Sequence, residues 1–198
     1  MSVILASQSP RRRELLERMG ITQFKIIPAR GEEKADPGLS PDRLVEELSR
    51  QKAAEIAAQA DGADVVIAAD TVVALDGKVL GKPRDEEDAF AMLSALQGRQ
   101  HQVYTGLTVR RGAQSATLHE MALVTFRPLT GEEIRAYIAT GEPMDKAGAY
   151  GIQGYGALLV EGVSGDFYTV MGLPVCRLGG LLRQFGIDPL TGKGVGLA

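Results

Sequence analysis

Val65-Val66-Ile67-Ala68-Ala69 is a run of five apolar residues with no polar alternation. A strand with one wet face alternates, so a continuous run marks a strand covered on both faces. Such a strand demands covering layers, and the flanking sequence supplies them. Ser9 as N-cap and Pro10 as first helical residue open a helix over 10–19, stopped by Gly20. Residues 24–28 read as a strand and 29–38 as polar and irregular. Ser40-Pro41 repeats the cap-plus-proline signal and opens a long helix ending near Gly62. After the apolar run, residues 71–75, an Asp76-Gly77 turn and 78–80 read as a hairpin. A capped helix over 85–96 places Ala89, Met92, Leu93 and Leu96 on one face and closes at Gly98. Strands over 102–110 and 116–126 flank a Gly112 turn. Thr130 with Glu133 forms a capping box for a helix through Ile138. Residues 158–161 and 167–170 read as strands, and 175–185 as a final helix. Helices and strands intermix with hairpins, so the expected fold is α/β with a mixed sheet.

The 198 residues suffice for one domain, single or two-lobed, expected over 1–188, with a Gly-rich tail at 189–198 expected to be disordered. Lys and Arg number 22 against 25 Asp and Glu, a net charge of -3. That balance argues against bulk nucleic-acid binding but not against a local basic pocket for a small anion. Cys176 is the single cysteine, which excludes an internal disulfide and suits a reducing compartment. Its default reading is a buried structural thiol. With no signal-peptide core and no bilayer-length apolar run, the expected location is cytoplasmic, away from membranes.

Several residues carry chemistry. Asp70 directly follows the buried run, so its carboxylate is expected at the C-terminal end of a strand, where α/β folds bind ligands. A charge there needs a metal, a base or a lysine beside it; the alternative is a hairpin cap next to Thr71. Leu44, Leu48, Lys52 and Ile56 share one helix row, so Lys52 either snorkels to water or meets an anion. Lys82, in Leu80-Gly81-Lys82-Pro83, otherwise reads as an ordinary turn lysine.

Arg11, Arg12 and Arg13 occupy a first helical turn where acidic residues are normally favoured. With the free N–H groups and Ser9 they suit a phosphate chain; the alternative is a solvated basic turn helped by Glu14 and Glu17. Glu32-Glu33 on the irregular segment could hold Mg²⁺ through one or two oxygens, or form a solvated acidic turn. His101 and His119 lack metal-ligand spacing with Cys176 or each other. Residues 141–154 are dense in glycine and alanine, with Asp145, Lys146 and Gln153 as the main polar side chains. Small residues permit close approach of a ligand, and an amide can read a nucleobase edge. Asp145 and Lys146 could instead pair within a tight loop.

Together these pieces resemble the Maf family of nucleoside triphosphate pyrophosphatases. The matching motifs are Leu5-Ala6-Ser7-Gln8-Ser9-Pro10-Arg11-Arg12, Glu33, Lys52-Ala53, Ala69-Asp70-Thr71 and Gly81-Lys82-Pro83. They continue through His101-Gln102-Val103-Tyr104-Thr105-Gly106, residues 141–154 and Val170-Met171-Gly172-Leu173-Pro174. The resemblance implies a two-lobed fold related to the inosine triphosphate pyrophosphatases, with the ligand in a central cleft. It implies hydrolysis of a nucleoside triphosphate between its α and β phosphates, to a monophosphate and pyrophosphate.

By motif position, Ser9, Arg11, Arg12, Lys52 and Lys82 would bind the triphosphate. Asp70 would accept the proton of the attacking water, and Glu33 with Asp70 would hold a divalent metal, Mg²⁺ or else Mn²⁺ or Co²⁺. Asp70-Thr71 and the segment ending Gly151-Ile152-Gln153-Gly154 resemble the branch acting on dTTP and UTP, with Arg11, Thr71 and Gln153 as specificity positions. Many members carry Asp-Glu where this chain has Glu32-Glu33. A homodimer is the implied assembly. The rival reading is a non-catalytic nucleotide- or nucleic-acid-binding regulator of septum formation; the retained Asp70 and cationic set weigh against it.

Overall fold

The computed structural model describes residues 1–32, 34–36 and 38–194. Its strands are β1 (Val3–Leu5), β2 (Phe24–Ile26), β3 (Val65–Leu75), β4 (Lys78–Leu80), β5 (Gln100–Arg111), β6 (Gln114–Phe126) and β7 (Val160–Ser164). They form a seven-stranded mixed sheet in the order β2-β1-β3-β5-β6-β7, with β4 paired to β3. The helices are α1 (Pro10–Arg18), α2 (Pro41–Ala57), α3 (Glu86–Leu96), α4 (Gly131–Ile138), α5 (Phe167–Met171) and α6 (Val175–Gln184). The mixed α/β class expected from the sequence is the one observed.

The apolar run belongs to β3, which is 11 residues long and buried at every position except Thr71. The strand and the following hairpin arm are therefore one strand that changes partners. β3 runs parallel to β1 from Val3↔Val65 to Leu5↔Ile67, and antiparallel to β4 from Val73↔Leu80 to Leu75↔Lys78. Asp70 lies between these two paired stretches, inside the strand rather than at its end. The β3–β4 turn has Asp76 at φ 52° and Gly77 at φ 75°, the left-handed pair a two-residue hairpin needs.

The chain divides into two compact units: Met1–Asp70, Thr105–Glu120 and Gly172–Ala198 form one, Thr71–Tyr104 and Met121–Met171 the other. In the first, Ile4 and Ala6 of the β1 segment pack with Val66 and Ala68 of β3 against Ala53 and Ile56 of α2. α2 lies so close to β5 that a Cβ on Gly106 would stand 2.1 Å from the Val45 carbonyl oxygen. A buried hydroxyl pair, Ser49 Oγ to Thr108 Oγ1 at 2.9 Å, joins the same two elements. α2 stops at Ala57, short of Gly62, because Asp61 starts a turn in which its carboxylate accepts the Ala63 N–H at 2.8 Å. Ser40 precedes this helix without capping it through its side chain.

In the second unit, α3 packs on α4, and Leu93, Leu96, Val103, Phe126, Ile134 and Tyr150 belong to one core. The caps are those the sequence signals. Asp85 accepts the Asp88 N–H at 2.8 Å, and Thr130 and Glu133 form the reciprocal capping box. Residues 167–170 are helical, not a strand. The Asp166 carboxylate accepts the N–H and hydroxyl of Thr169, each at 2.8 Å, and this cap overrides the aromatic and β-branched composition. β7 begins at Val160 because Gly154–Leu158 forms a 3-10 turn.

Cys176 is exposed, against the expectation of burial: α6 buries Leu178, Leu181 and Leu182, and Cys176 is off that face. In the tail, Asp188 donates its N–H to the Lys193 carbonyl at 2.8 Å. Residues 195–198 lie outside the described residues, as do Glu33 and Pro37. No helix among the described residues is long and apolar enough to cross a membrane.

Candidate active site

Asp70 meets a lysine. Lys52 Nζ donates to Asp70 Oδ1, and the two side chains are only 19% and 12% exposed. β3 fixes the carboxylate from a buried main chain. α2 fixes the ammonium from the row that also buries Leu48 and Ile56. Of the options open for Lys52, snorkelling to water and meeting an anion, the structure takes the second. The burial cost of the Asp70 charge is offset by a cation rather than left unanswered.

At the end of β1, Ala6 donates its N–H to the Ile67 carbonyl at 2.8 Å, and the chain then turns into α1. Ser9 caps that helix, its hydroxyl facing the Arg12 N–H at 3.5 Å. The three arginines diverge. Arg13 pairs with Glu17 at 2.8 Å on the exposed side, and Glu14 pairs with Arg18 at 2.6 Å rather than with the first turn. Arg12 turns inward, donating to the Gly172 carbonyl at 2.8 Å and to the buried Ser7 hydroxyl at 3.1 Å. Arg11 is half-buried. No acidic residue occupies this first turn, where the helix end favours negative charge. The anchors Ser7 and Gly172 escaped the sequence reading, although both stand inside motifs it singled out.

The segment around Glu33 is tied to α2. Glu55 accepts the Arg30 and Gly31 N–H groups at 2.8 and 3.0 Å, and Gln51 accepts the Lys34 N–H at 3.1 Å. A Cβ on Gly31 would stand 2.8 Å from the Glu55 carboxylate, which would have to shift to admit it. Glu32 is exposed and pairs with Lys34 at 3.4 Å; Glu33 itself is outside the described residues. Among the described residues no three His, Cys, Asp or Glu side chains converge on one point. A hard divalent ion needs only one or two carboxylates when water and phosphate oxygens fill its shell. Asp70, a hard oxygen donor, fits such a site.

Thr71, Lys82 and Gln153 belong to the second unit. Thr71 is the half-buried residue of β3, and Lys82 is exposed in the loop after β4. That loop is fixed where Gly148 donates its N–H to the Gly81 carbonyl at 3.0 Å. Gln153 is half-buried and leads into the Gly154–Leu158 turn. Lys146 donates to Asp145 at 2.6 Å and to the Glu142 carbonyl at 2.5 Å, which is the internal pairing that was the alternative reading.

His101 is part of a buried aromatic cluster: its Nε2 meets the Tyr150 hydroxyl at 2.8 Å, with Phe126 edge-on to both rings. Burial lowers its pKa to about 4, so the ring is neutral.

A family model described as Maf-like protein matches residues 2–185. The chain belongs to the Maf family. It is 52% identical over 188 residues to a dTTP/UTP pyrophosphatase of Carboxydothermus hydrogenoformans, covering 94% of this chain and 100% of that one. A relative of the same name from Bacillus velezensis is 51% identical over 185 residues, with 93% and 97% covered. Among solved structures, a HAM1 protein from Coxiella burnetii aligns with TM-score 0.53 and 16% identity over 93% of this chain and 99% of that one. That likeness is one of fold. In the first unit of this Maf protein Ser9, Arg12, Lys52 and Asp70 form two contacting pairs, Ser9 with Arg12 and Lys52 with Asp70.

Proposed function

We propose that this protein is a nucleoside triphosphate pyrophosphatase that hydrolyses dTTP and UTP to the monophosphate and pyrophosphate. One structural observation carries the chemistry: a strand-held, largely buried carboxylate, Asp70, in contact with Lys52. Near-complete coverage by relatives named dTTP/UTP pyrophosphatase supports the substrate class. Ser9, Arg11 and Arg12 bind phosphate oxygens at the start of α1, and Lys52 and Lys82 add positive charge to the triphosphate. Asp70 orients a water for in-line attack on the α-phosphorus and takes its proton, while the bond to the bridging oxygen breaks and pyrophosphate leaves. Lys52 holds Asp70 correctly turned for that task. Asp70 and Glu33 would hold a divalent cation, Mg²⁺ or else Mn²⁺ or Co²⁺. Such a cation, when bound, neutralises phosphate charge.

Thr71, Arg11 and Gln153 select the base. Uracil and thymine offer an O, N–H, O edge, which hydroxyl and amide groups can match. The reading includes a cytoplasmic location and a homodimeric assembly, the latter checked by light scattering of the purified chain.

The deciding experiment is pyrophosphate release from dTTP, UTP, 7-methyl-GTP and ITP with Mg²⁺, beside Asp70→Asn. Turnover selective for dTTP and UTP is expected, with kcat in the variant reduced roughly 10²–10⁴-fold, the scale of a lost general base. Equal turnover of wild type and variant would remove Asp70 as the proton acceptor. Preference for another base would remove the pyrimidine assignment.

A further inference from the structure

Residues 141–158 hold five glycines, Gly141, Gly148, Gly151, Gly154 and Gly156, and three of these enclose a side chain of the protein itself. The Glu142 carboxylate accepts the Tyr155 N–H at 2.9 Å on Oε2. On Oε1 it accepts the Gly156 N–H at 3.0 Å and the Tyr137 hydroxyl at 2.9 Å. The Tyr137 oxygen in turn accepts the Gly151 N–H at 3.1 Å. A Cβ on Gly154, at φ 64°, would stand 2.5 Å from Glu142 Oε2, and one on Gly156 would stand 2.9 Å from the Tyr137 hydroxyl and 1.9 Å from the Gly151 carbonyl oxygen. One on Gly151 would stand 2.9 Å from Lys146 Cε, the lysine bonded to the Glu142 main chain. The glycines at 151, 154 and 156 therefore let the backbone close around this carboxylate.

Gln153 sits between the amides so held: Gly151 on one side, Tyr155 and Gly156 on the other. We infer that Glu142 is a specificity-positioning residue, which sets the place of the Gln153 amide through its hydrogen bonds to the flanking main chain. The inference rests on the reading that Gln153 recognises the base. Glu142 need not touch the nucleotide. A carboxylate suits the task because both its oxygens only accept, whereas the neighbours it serves are all donors. An amide in its place can satisfy one oxygen's worth of donors and turns its own N–H groups toward the rest.

The test uses the full chain, with Glu142→Gln, Glu142→Asp, Gln153→Ala and the double variant Glu142→Gln/Gln153→Ala. Glu142→Gln is expected to raise KM for dTTP and UTP by about tenfold with kcat within about threefold, because base positioning is lost while the phosphate chemistry stays. Preference for UTP over ITP falls in parallel. Glu142→Asp, which keeps the acceptors on a shorter arm, recovers part of both. In the Gln153→Ala background the Glu142 change has little further effect on that preference, the signature of action through Gln153.

Equal effects of Glu142→Gln in both backgrounds, or a uniform loss of kcat and KM selectivity with melting, would refute a positioning role. Amide hydrogen exchange gives a readout free of turnover: in Glu142→Gln the amides of Gly151, Tyr155 and Gly156 lose protection while α4 keeps its own. Unchanged exchange there overturns the inference even if activity changes. If the wild type turns over neither dTTP nor UTP but the amides loosen as expected, the substrate reading has failed and the base-selecting role falls with it, while the main-chain clamp is upheld.

Discussion

Gly106→Ala tests how the site is aligned without touching a residue of the site. A methyl at this position would stand 2.1 Å from the Val45 carbonyl oxygen, 2.3 Å from its carbon and 2.8 Å from the Glu46 nitrogen. All three are main-chain atoms of α2, which have no rotamer to change. Ordinary contact begins at 3.4 Å, so α2 and β5 must separate by about 1.3 Å. That shift takes the buried Ser49–Thr108 pair from 2.9 Å beyond hydrogen-bonding distance, leaving Ser49 its bond to the Glu46 carbonyl at 3.0 Å and Thr108 its bond to the Thr117 hydroxyl at 2.9 Å. Overpacking of this kind costs about 1–3 kcal/mol and a broken buried hydrogen bond about 1 kcal/mol more.

The expected loss is about 2–4 kcal/mol, which for a chain of this size lowers the melting temperature by roughly 5–15 °C. Lys52 is two turns further along the displaced helix, so kcat/KM should fall even at temperatures where the variant is fully folded. Circular-dichroism melting and pyrophosphate release at 20 °C measure the two effects separately. A variant that melts with the wild type would refute the close approach of α2 to β5. One that melts early but keeps full activity would show that Lys52 does not depend on it.

Other substitutions probe separate parts of the structure. Gly179→Ala, in α6 with open space around the new methyl, should raise stability by about 0.5–1 kcal/mol, and a lower melting temperature would count against an unstrained helix there. Lys52→Met should destabilise by about 1–3 kcal/mol because Asp70 then stays in place without its cation, while Lys52→Met/Asp70→Asn recovers much of that loss; additive losses would sink the pairing. His101 is neutral in the folded state and binds a proton on unfolding, since burial lowers its pKa from 6.5 to about 4. The unfolded chain therefore binds more protons between those values, so stability falls as pH drops from about 6.5 toward 4, by up to about 3 kcal/mol in all. His101→Gln should flatten that part of the urea-derived stability profile, and an unchanged slope would assign the acid sensitivity to other groups.

Much of this architecture is legible in local sequence because local physics decides it. Pro10, Pro41, Asp85 and the Thr130–Glu133 box announce helix starts, and Asp76-Gly77 announces its turn. The misreadings arise where a distant or competing contact wins. Residues 167–170 have strand composition, but the Asp166 carboxylate satisfies the first N–H groups of a helix. β3 reads as two strands because Asp70 interrupts its apolar run, and its continuity depends on partners from opposite directions in sequence, β1 before it and β4 after it. Within the site, Lys52 and Asp70 were each legible as unusual, but their contact was not, since it crosses from a helix to a strand 18 residues on.

The position of Asp70 inside a strand bears on the chemistry. At a strand's end a carboxylate would share the mobility of the following loop. Within β3 its main chain is held between the last parallel pairing with β1 and the first antiparallel pairing with β4. The same β1 ends at the turn that carries Ser7 and Ser9 into α1, so the carboxylate and the start of α1 are referenced to one pair of strands. α2 brings Lys52 to Asp70 and, through Gln51 and Glu55, also holds the main chain on either side of Glu33. Asp70, its lysine and the main chain of Arg30, Gly31 and Lys34 thus depend on two packed contacts, β1 on β3 and α2 on β5. Catalysis by positioned groups requires placement on rigid elements. For this reason a methyl group at Gly106, remote in sequence from every residue of the site, is expected to lower activity as well as stability.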